Sequence, residues 1–313
     1  MITRDDVLAA ERRISKHVRR TPLLRGGSSS APLWLKCEFL QHTGVFKARG
    51  AFNRQLAALE RGELDPAVGV VAASGGNAGL ANAYAAAALG VPATVFVPEN
   101  APRVKVERLL AYNATVRQAG SEYIEAYEAA QEYVAQSGAL FCHAYDQPEI
   151  AAGAGTIAEE ILQDEPGINT IVVAVGGGGL YAGLAAAATG RARIVAVEPV
   201  TIPTLHAALE AGRPVDVTVS GIAADSLGAR RLGDIAFSMA WQEPPISVLV
   251  SDDAIIAARA QLWNEYRIPA EYGAATALAA LSSGAYVPQK DERVAVIICG
   301  ANTDPCTLGN PTP

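Results

Sequence analysis

Short uncharged runs rich in β-branched residues alternate along the chain with alanine-rich stretches of helical length. The runs fall at residues 68–73, 94–97, 171–175, 193–197, 247–250 and 294–299, and the helical stretches between them include 77–89, 121–137, 180–189 and 252–266. Strand-like runs without polar alternation are buried on both faces, so the pattern predicts an α/β fold with parallel sheets covered by helices. Ahead of this alternation, Thr3 and Asp6 form a capping-box pattern. Val7, Ile14 and Val18 share one helical face beyond it, and Thr21-Pro22 ends the segment. A short apolar run, Leu33-Trp34-Leu35, precedes a further helix expected over 46–59. No fixed-period repeat, low-complexity tail or long linker interrupts the chain. Two domains would have to pack closely, with the chain crossing between them more than once.

Length and composition narrow the functional classes. At ~150 residues per domain, 313 residues suggest two domains. The net charge of −7 and an isoelectric point near 5.2 argue against nucleic-acid binding, which needs concentrated positive charge. A chain that is 50% hydrophobic and 18% charged can build buried cores. Cys37, Cys142, Cys299 and Cys306 form no close pair and read as reduced intracellular thiols. The four histidines share no zinc-ligand spacing with them. The N-terminus, charged from Arg4 onward, has no apolar signal segment. The uncharged stretches 66–98 and 167–190 are each broken by glycines, as strand–turn–helix units would be and membrane spans would not. A soluble, cytoplasmic protein without membrane partners is expected.

Three segments carry candidate chemistry. Gly176, Gly177, Gly178 and Gly179 lie between a strand-like and a helix-like segment, where backbone N–H groups can approach a phosphate. A structural turn is the plainer reading, and Gly177-x-Gly179-x-x-Ala182 with Glu198 also fits a dinucleotide fingerprint. Ser74, Gly75, Gly76, Asn77 and Ala78 sit at a second strand–helix turn, suited to a carboxylate or to ordinary helix capping. Lys47 stands where an uncharged run gives way to a helix. A buried lysine there would be an amine nucleophile able to form a Schiff base, whereas most lysines are simply solvated.

Taken in order, the Phe46-Lys47 segment, the Ser74–Gly79 loop, the four glycines and Cys299-Gly300-Ala301-Asn302 resemble the serine/threonine dehydratases, members of the fold-type II pyridoxal-phosphate enzymes. Arg20-Thr21-Pro22-Leu23, His143-Ala144-Tyr145-Asp146 and Ala152-Gly153-Ala154-Gly155-Thr156 resemble family segments too, so the likeness runs from Arg20 to Asn302. It implies a tryptophan-synthase-β-like pair of α/β domains, a large one of residues 1–48 and 142–313 and a small one of 49–141, with the active site in the cleft. It implies that Lys47 carries pyridoxal 5'-phosphate as a Schiff base and that Phe46 lies beside the cofactor. Gly176 to Gly179 would bind its phosphate, Asn77 its ring hydroxyl, and Cys299 would face the ring nitrogen. Ser74 with Gly75, Gly76, Asn77 and Ala78 would take the substrate carboxylate. Phe46 as core packing and Cys299 as a plain buried thiol are the structural alternatives.

The implied reaction is dehydration of L-threonine or L-serine by β-elimination, giving a 2-keto acid and ammonia, in a homodimer. A neutral thiol at the ring nitrogen suits elimination better than transamination. Glu198 reads either as a strand-end salt-bridge partner or, with Thr204, as the site of a monovalent cation such as potassium. Val45, Ala154 and Tyr272 depart from the family's usual serine, glutamine and proline, which leaves the preferred hydroxy amino acid open. Only eleven residues follow Asn302, so a C-terminal regulatory domain is not expected. Racemase-like relatives carry a serine where this chain has Gly75, so little inversion is expected. The rival readings are a nicotinamide-dependent oxidoreductase, and a relative that binds cofactor and amino acid without turnover.

Overall fold

A computed structural model describes residues 1–28 and 31–308. Among them the strands are β1 (Leu23–Ser28), β2 (Ala31–Lys36), β3 (Val70–Ala73), β4 (Ala93–Val97), β5 (Thr115–Gln118), β6 (Leu140–Phe141), β7 (Thr170–Ala174), β8 (Arg193–Pro199), β9 (Ile246–Val250) and β10 (Val294–Ile297). They form a six-stranded sheet ordered β1-β2-β10-β7-β8-β9 and a four-stranded sheet ordered β5-β4-β3-β6. All six apolar runs are strands, shifted by a residue or two, and β7, β10 and β3 are buried along their whole length. The alternation therefore reported parallel strands covered on both faces.

The sheets are parallel, as expected, except at one edge, where β1 pairs antiparallel with β2. Two residues separate them in sequence, too few for the crossover that a parallel pair requires. Strands β5 and β6 escaped the hydrophobic pattern because β5 is mostly exposed and β6 is two residues long. The first helix, Arg4–Ile14, has the expected capping box but stops before Val18, whose amide turns back to the Ile14 carbonyl. Helices 77–89 and 252–266 occur as expected.

The four-stranded sheet is made entirely of residues between 70 and 141, and the six-stranded sheet of residues on either side. Two helices join them: Lys47–Glu60 packs on Pro148–Asp164 and on Asn77–Leu89, which itself packs on β3 and β4. The ends of β3, β7 and β10 deliver the Ser74 loop, the four glycines and Cys299, in keeping with ligand sites at the carboxyl ends of parallel strands.

A buried ionic cluster fixes the helix that begins at Lys47. Arg49 donates to both oxygens of Glu38 and both oxygens of Glu160, while Lys36 donates to Glu160 at 2.5 Å and to the Thr21 carbonyl at 2.7 Å. Thr21 also bonds Glu38. Buried charges persist only when paired and hydrogen-bonded in this way.

Candidate active site

Lys47 opens its helix with Phe46 as the preceding cap, so the backbone turns where the side chain leaves it. Its ammonium lies 5.1 Å from the Phe46 ring centroid and donates to the Ala144 carbonyl at 3.0 Å. Burial lowers its pKa to about 8; Cys299 and Glu271 oppose that shift without cancelling it. A lysine depressed this far holds a substantial neutral fraction near neutrality, the form that acts as a nucleophile or base.

One cavity brings together Phe46, Lys47, Asn77, Cys299 and all four glycines. Here the glycines are required. A Cβ on Gly177 would lie 2.3 Å from the Tyr145 ring, and Gly178 has φ +89° with Ala236 and Leu232 against it. The amides of Gly176 to Gly179 have no protein acceptor among the described residues, and they open the helix Gly179–Ala188. Unpaired amides at a helix N-terminus suit a phosphate. Cys299, two residues beyond β10, is buried, and its thiol is pushed well above the usual range by desolvation. It is a neutral group, not a thiolate.

Asn77 begins its helix and is held from both sides, donating to Glu271 and accepting from Asn302. Ala78 lines a second cavity beside Lys47, together with His143 and Ala154. Ser74, Gly75 and Gly76 line neither cavity. They form the loop leading to Asn77, where Ser74 Oγ accepts from the Gly76 amide at 3.3 Å.

Glu198 sits apart from this cavity. It accepts from the amides of Leu205 and His206 at 2.7 and 2.9 Å and lies 3.0 Å from Thr204 Oγ1, which donates to the Gly176 carbonyl at 2.5 Å. Burial raises its pKa to about 7 against these donors. Glu198 is thus a buried cap on the helix Thr204–Ala211, linked through Thr204 to the glycine loop. Among the described residues it makes no salt bridge; its partners are the Leu205 and His206 amides and Thr204. Nor is it the open carboxylate that the dinucleotide fingerprint needs for a ribose, which removes the residue on which the nicotinamide reading rested.

Several residues of the site were not assigned from sequence. Glu271 lines the cavity with Lys47 and Cys299, and burial lifts its pKa to about 7. Tyr145 covers the glycine loop and donates to the Arg231 carbonyl. His143 accepts two backbone amides at Nδ1, and burial, with the nearby Lys47 charge, lowers its pKa. The sequence signal for Glu271 was its place before an alanine-rich helix, which reads equally well as a plain cap. The three departures are explained locally. Val45 is buried against Gly300, Ala154 lines the cavity beside Lys47, and Tyr272 takes the first helical position with Arg259 stacked 4.4 Å from its ring centroid.

A fold of two α/β sheets with a desolvated lysine facing a four-glycine anion cradle is that of a covalent-cofactor enzyme. The family model described as "Pyridoxal-phosphate dependent enzyme" matches residues 14–300, and the chain belongs to that family. Among its relatives, the L-threonine ammonia-lyase of Geobacter sulfurreducens is 38% identical over 306 residues, covering 96% of this chain and 75% of that relative. The serine racemase of Dictyostelium discoideum superposes with a TM-score of 0.89 at 32% identity, over 97% of this chain and 99% of that one. Threonine deaminase isoform 2 of Solanum lycopersicum gives 0.89 at 29%, over 97% and 85%. The cavity fits the family's cofactor: a buried amine of lowered pKa, unpaired glycine amides and a neutral thiol surround one space.

Proposed function

We propose that the protein is a pyridoxal-phosphate-dependent ammonia-lyase, converting L-threonine or L-serine to a 2-keto acid and ammonia. The observation that carries the reading is the buried Lys47 amine, facing the four glycine amides and Cys299 across one cavity. Resemblance to threonine ammonia-lyases over nearly the whole chain supports the same activity.

In this reading Lys47 holds the cofactor, the amides of Gly176 to Gly179 take its phosphate, Asn77 its ring hydroxyl, and Cys299 lies at its ring nitrogen beside Phe46. Bound there, the cofactor withdraws electrons and acidifies the α-hydrogen of a bound amino acid. Ser74 and the amides following it hold the substrate carboxylate at the N-terminus of the helix Asn77–Leu89. The Lys47 amine, neutral above pH about 8, takes the α-proton from its own side, and loss of the β-hydroxyl as water completes the elimination. The Cys299 thiol, neutral at physiological pH, gives the ring nitrogen no carboxylate to hold its proton, which favours elimination over transamination. We infer that residues 1–48 with 142–313 form a large domain and 49–141 a small one, in a cytoplasmic homodimer. A monovalent cation such as potassium enters the proposal only at Glu198 and Thr204, where it would compete with the Leu205 and His206 amides. Comparing rates in potassium and choline salts tests that point.

Formation of 2-oxobutanoate and ammonia from L-threonine, or pyruvate from L-serine, is the deciding measurement. A cofactor-loaded protein that releases neither product from any β-hydroxy amino acid would be a binding protein instead. Relatives named serine racemase raise inversion as a second activity. The loop position at which racemase-like relatives carry a serine argues against it, because Gly75 has no side chain with which to return a proton. Resolving leftover serine on a chiral column should show L-serine almost alone, whereas D-serine accumulating as fast as pyruvate would overturn the assignment. Gly75→Ser should introduce some inversion: the added Cβ meets only the Val97 side chain, with Cγ1 at 3.3 Å and Cβ at 3.9 Å.

A further inference from the structure

The amide of Asn77 has a defined orientation, and the residues that define it can be traced. Asn302 Nδ2 donates to the Thr43 carbonyl at 2.9 Å, which fixes that nitrogen as the donor end. The same nitrogen donates to Asn77 Oδ1 at 2.7 Å, so Asn77 must turn its own nitrogen the other way. There Asn77 Nδ2 meets both oxygens of Glu271, at 3.0 and 3.1 Å. Glu271 is 6% exposed and shares the cavity wall with Lys47, Asn77 and Cys299. An amide nitrogen carries two hydrogens, and a carboxylate on one side leaves the other free for an oxygen acceptor in the cavity.

We propose that Glu271 is a positioning residue: its carboxylate, which accepts hydrogen bonds and offers none, holds the Asn77 side chain with an N–H toward the cofactor's ring oxygen. The inference rests on the pyridoxal-phosphate reading of the site. Its physical basis is the difference between an ionised and a neutral group at this position. A carboxylate accepts only the nitrogen end of Asn77. A carboxylic acid or an amide offers both a donor and an acceptor, so residue 271 no longer excludes the turned form of Asn77, which presents the wrong atom to the cofactor and which only the Asn302 bond then opposes.

Ionisation of Glu271 is balanced within the neutral range. Burial raises its pKa to about 7, the Asn77 bond opposes that, Asp225 adds to it and Lys47 opposes it. The neutral Cys299 thiol is the remaining titratable neighbour. A depopulated carboxylate below pH about 7 should therefore loosen Asn77 and the cofactor with it.

The test is a cofactor titration of apoprotein, followed by absorbance and fluorescence, at pH 6 and pH 8. For Glu271→Gln, of nearly equal size, Kd at pH 8 should rise about tenfold, the scale of a charge-assisted hydrogen bond. Wild type should approach the variant's affinity at pH 6. In the Asn77→Ala background the same Glu271→Gln change should leave Kd unaltered, because the side chain through which Glu271 acts is gone. An unchanged Kd in Glu271→Gln, or an equal loss with Asn77 absent, would overturn the positioning role. Failure of the wild-type protein to bind the cofactor at all would instead overturn the reading on which it rests. Should the glutamine variant fold poorly, the wild-type pH dependence against that of Asn77→Ala decides alone: a loss of affinity at pH 6 that persists undiminished without Asn77 excludes the mechanism.

Discussion

At the residue scale the site is governed by desolvation. Lys47, Glu271 and Cys299 share one cavity, and burial drives each toward its neutral form: the lysine down to about 8, the acid up to about 7 and the thiol above its usual range. The lysine sign fixes a prediction. Its neutral amine is the nucleophile, so cofactor incorporation should accelerate with rising pH and level off above about 8, well below the 10.5 of a free lysine. Stopped-flow absorbance on apoprotein measures it; a rate still climbing steeply above pH 10 would mean an exposed lysine does the work. Borohydride reduction followed by peptide mapping should label Lys47, and Lys47→Ala should lose that adduct while keeping its far-UV spectrum. Cys299→Asp would place a carboxylate at the ring nitrogen and favour its protonation. Slower elimination with a transamination side product is expected, and an unaltered product ratio in a loaded variant would show that residue 299 does not face the ring. Lys47, Asn77 and Cys299 were legible in sequence because their motifs occur in family order. Glu271 was not, since its importance comes from a bond to Asn77, 194 positions away.

Among the elements, hydrophobic pattern revealed whatever was buried on both faces and little else. Strands β7 and β10 are continuous apolar runs, whereas β5, exposed at the sheet edge, carries an arginine and a glutamine and was passed over. The helix Pro148–Asp164 also went unassigned, although its residues 151–162 are all buried. It includes Glu159 and Glu160, charges that look like a solvated face in sequence. They are neutralised by residues far along the chain: Arg4 and Arg191 for the first, Lys36 and Arg49 for the second. Burial pushes Glu160 up, but Arg49 and Lys36 outweigh it, leaving its pKa below the ordinary carboxylate value. A depressed carboxylate contributes stability above its unfolded pKa, which is lost as pH falls through the folded one. Folding stability should therefore decline on acidification below pH ~4.3. Glu160→Ala would leave the buried Lys36 without a carboxylate and Arg49 with Glu38 alone, and should cost ~3–5 kcal/mol, read from urea unfolding at neutral pH. A loss under ~1 kcal/mol, the worth of an exposed pair, would show that the cluster is hydrated.

For the whole molecule, the decisive feature is that the cavity draws on both sheets. Asn77 follows β3 of the four-stranded sheet, while the glycines follow β7 and Cys299 follows β10 of the six-stranded one. Lys47 begins a helix that packs on both sides of the cleft. Away from these joining helices, Lys105 and Asp225 form an exposed ion pair, and such pairs contribute ~0–1 kcal/mol. A ligand gripping Asn77 and the glycine loop at once would therefore supply much of the restraint between the two sheets. Binding to the folded form alone stabilises it by ~2.7 kcal/mol at a hundredfold excess over Kd. Removing the cofactor should lower Tm and make it depend on added pyridoxal phosphate. Hydrogen exchange locates the effect: in apoprotein, protection should fall together in the Ser74 loop, the Asn77 helix and the Gly176–Gly179 turn, while β7 and β10 stay protected by their own core. Loss of protection confined to the glycine turn would mean that the ligand rests on one sheet and does not bridge the two.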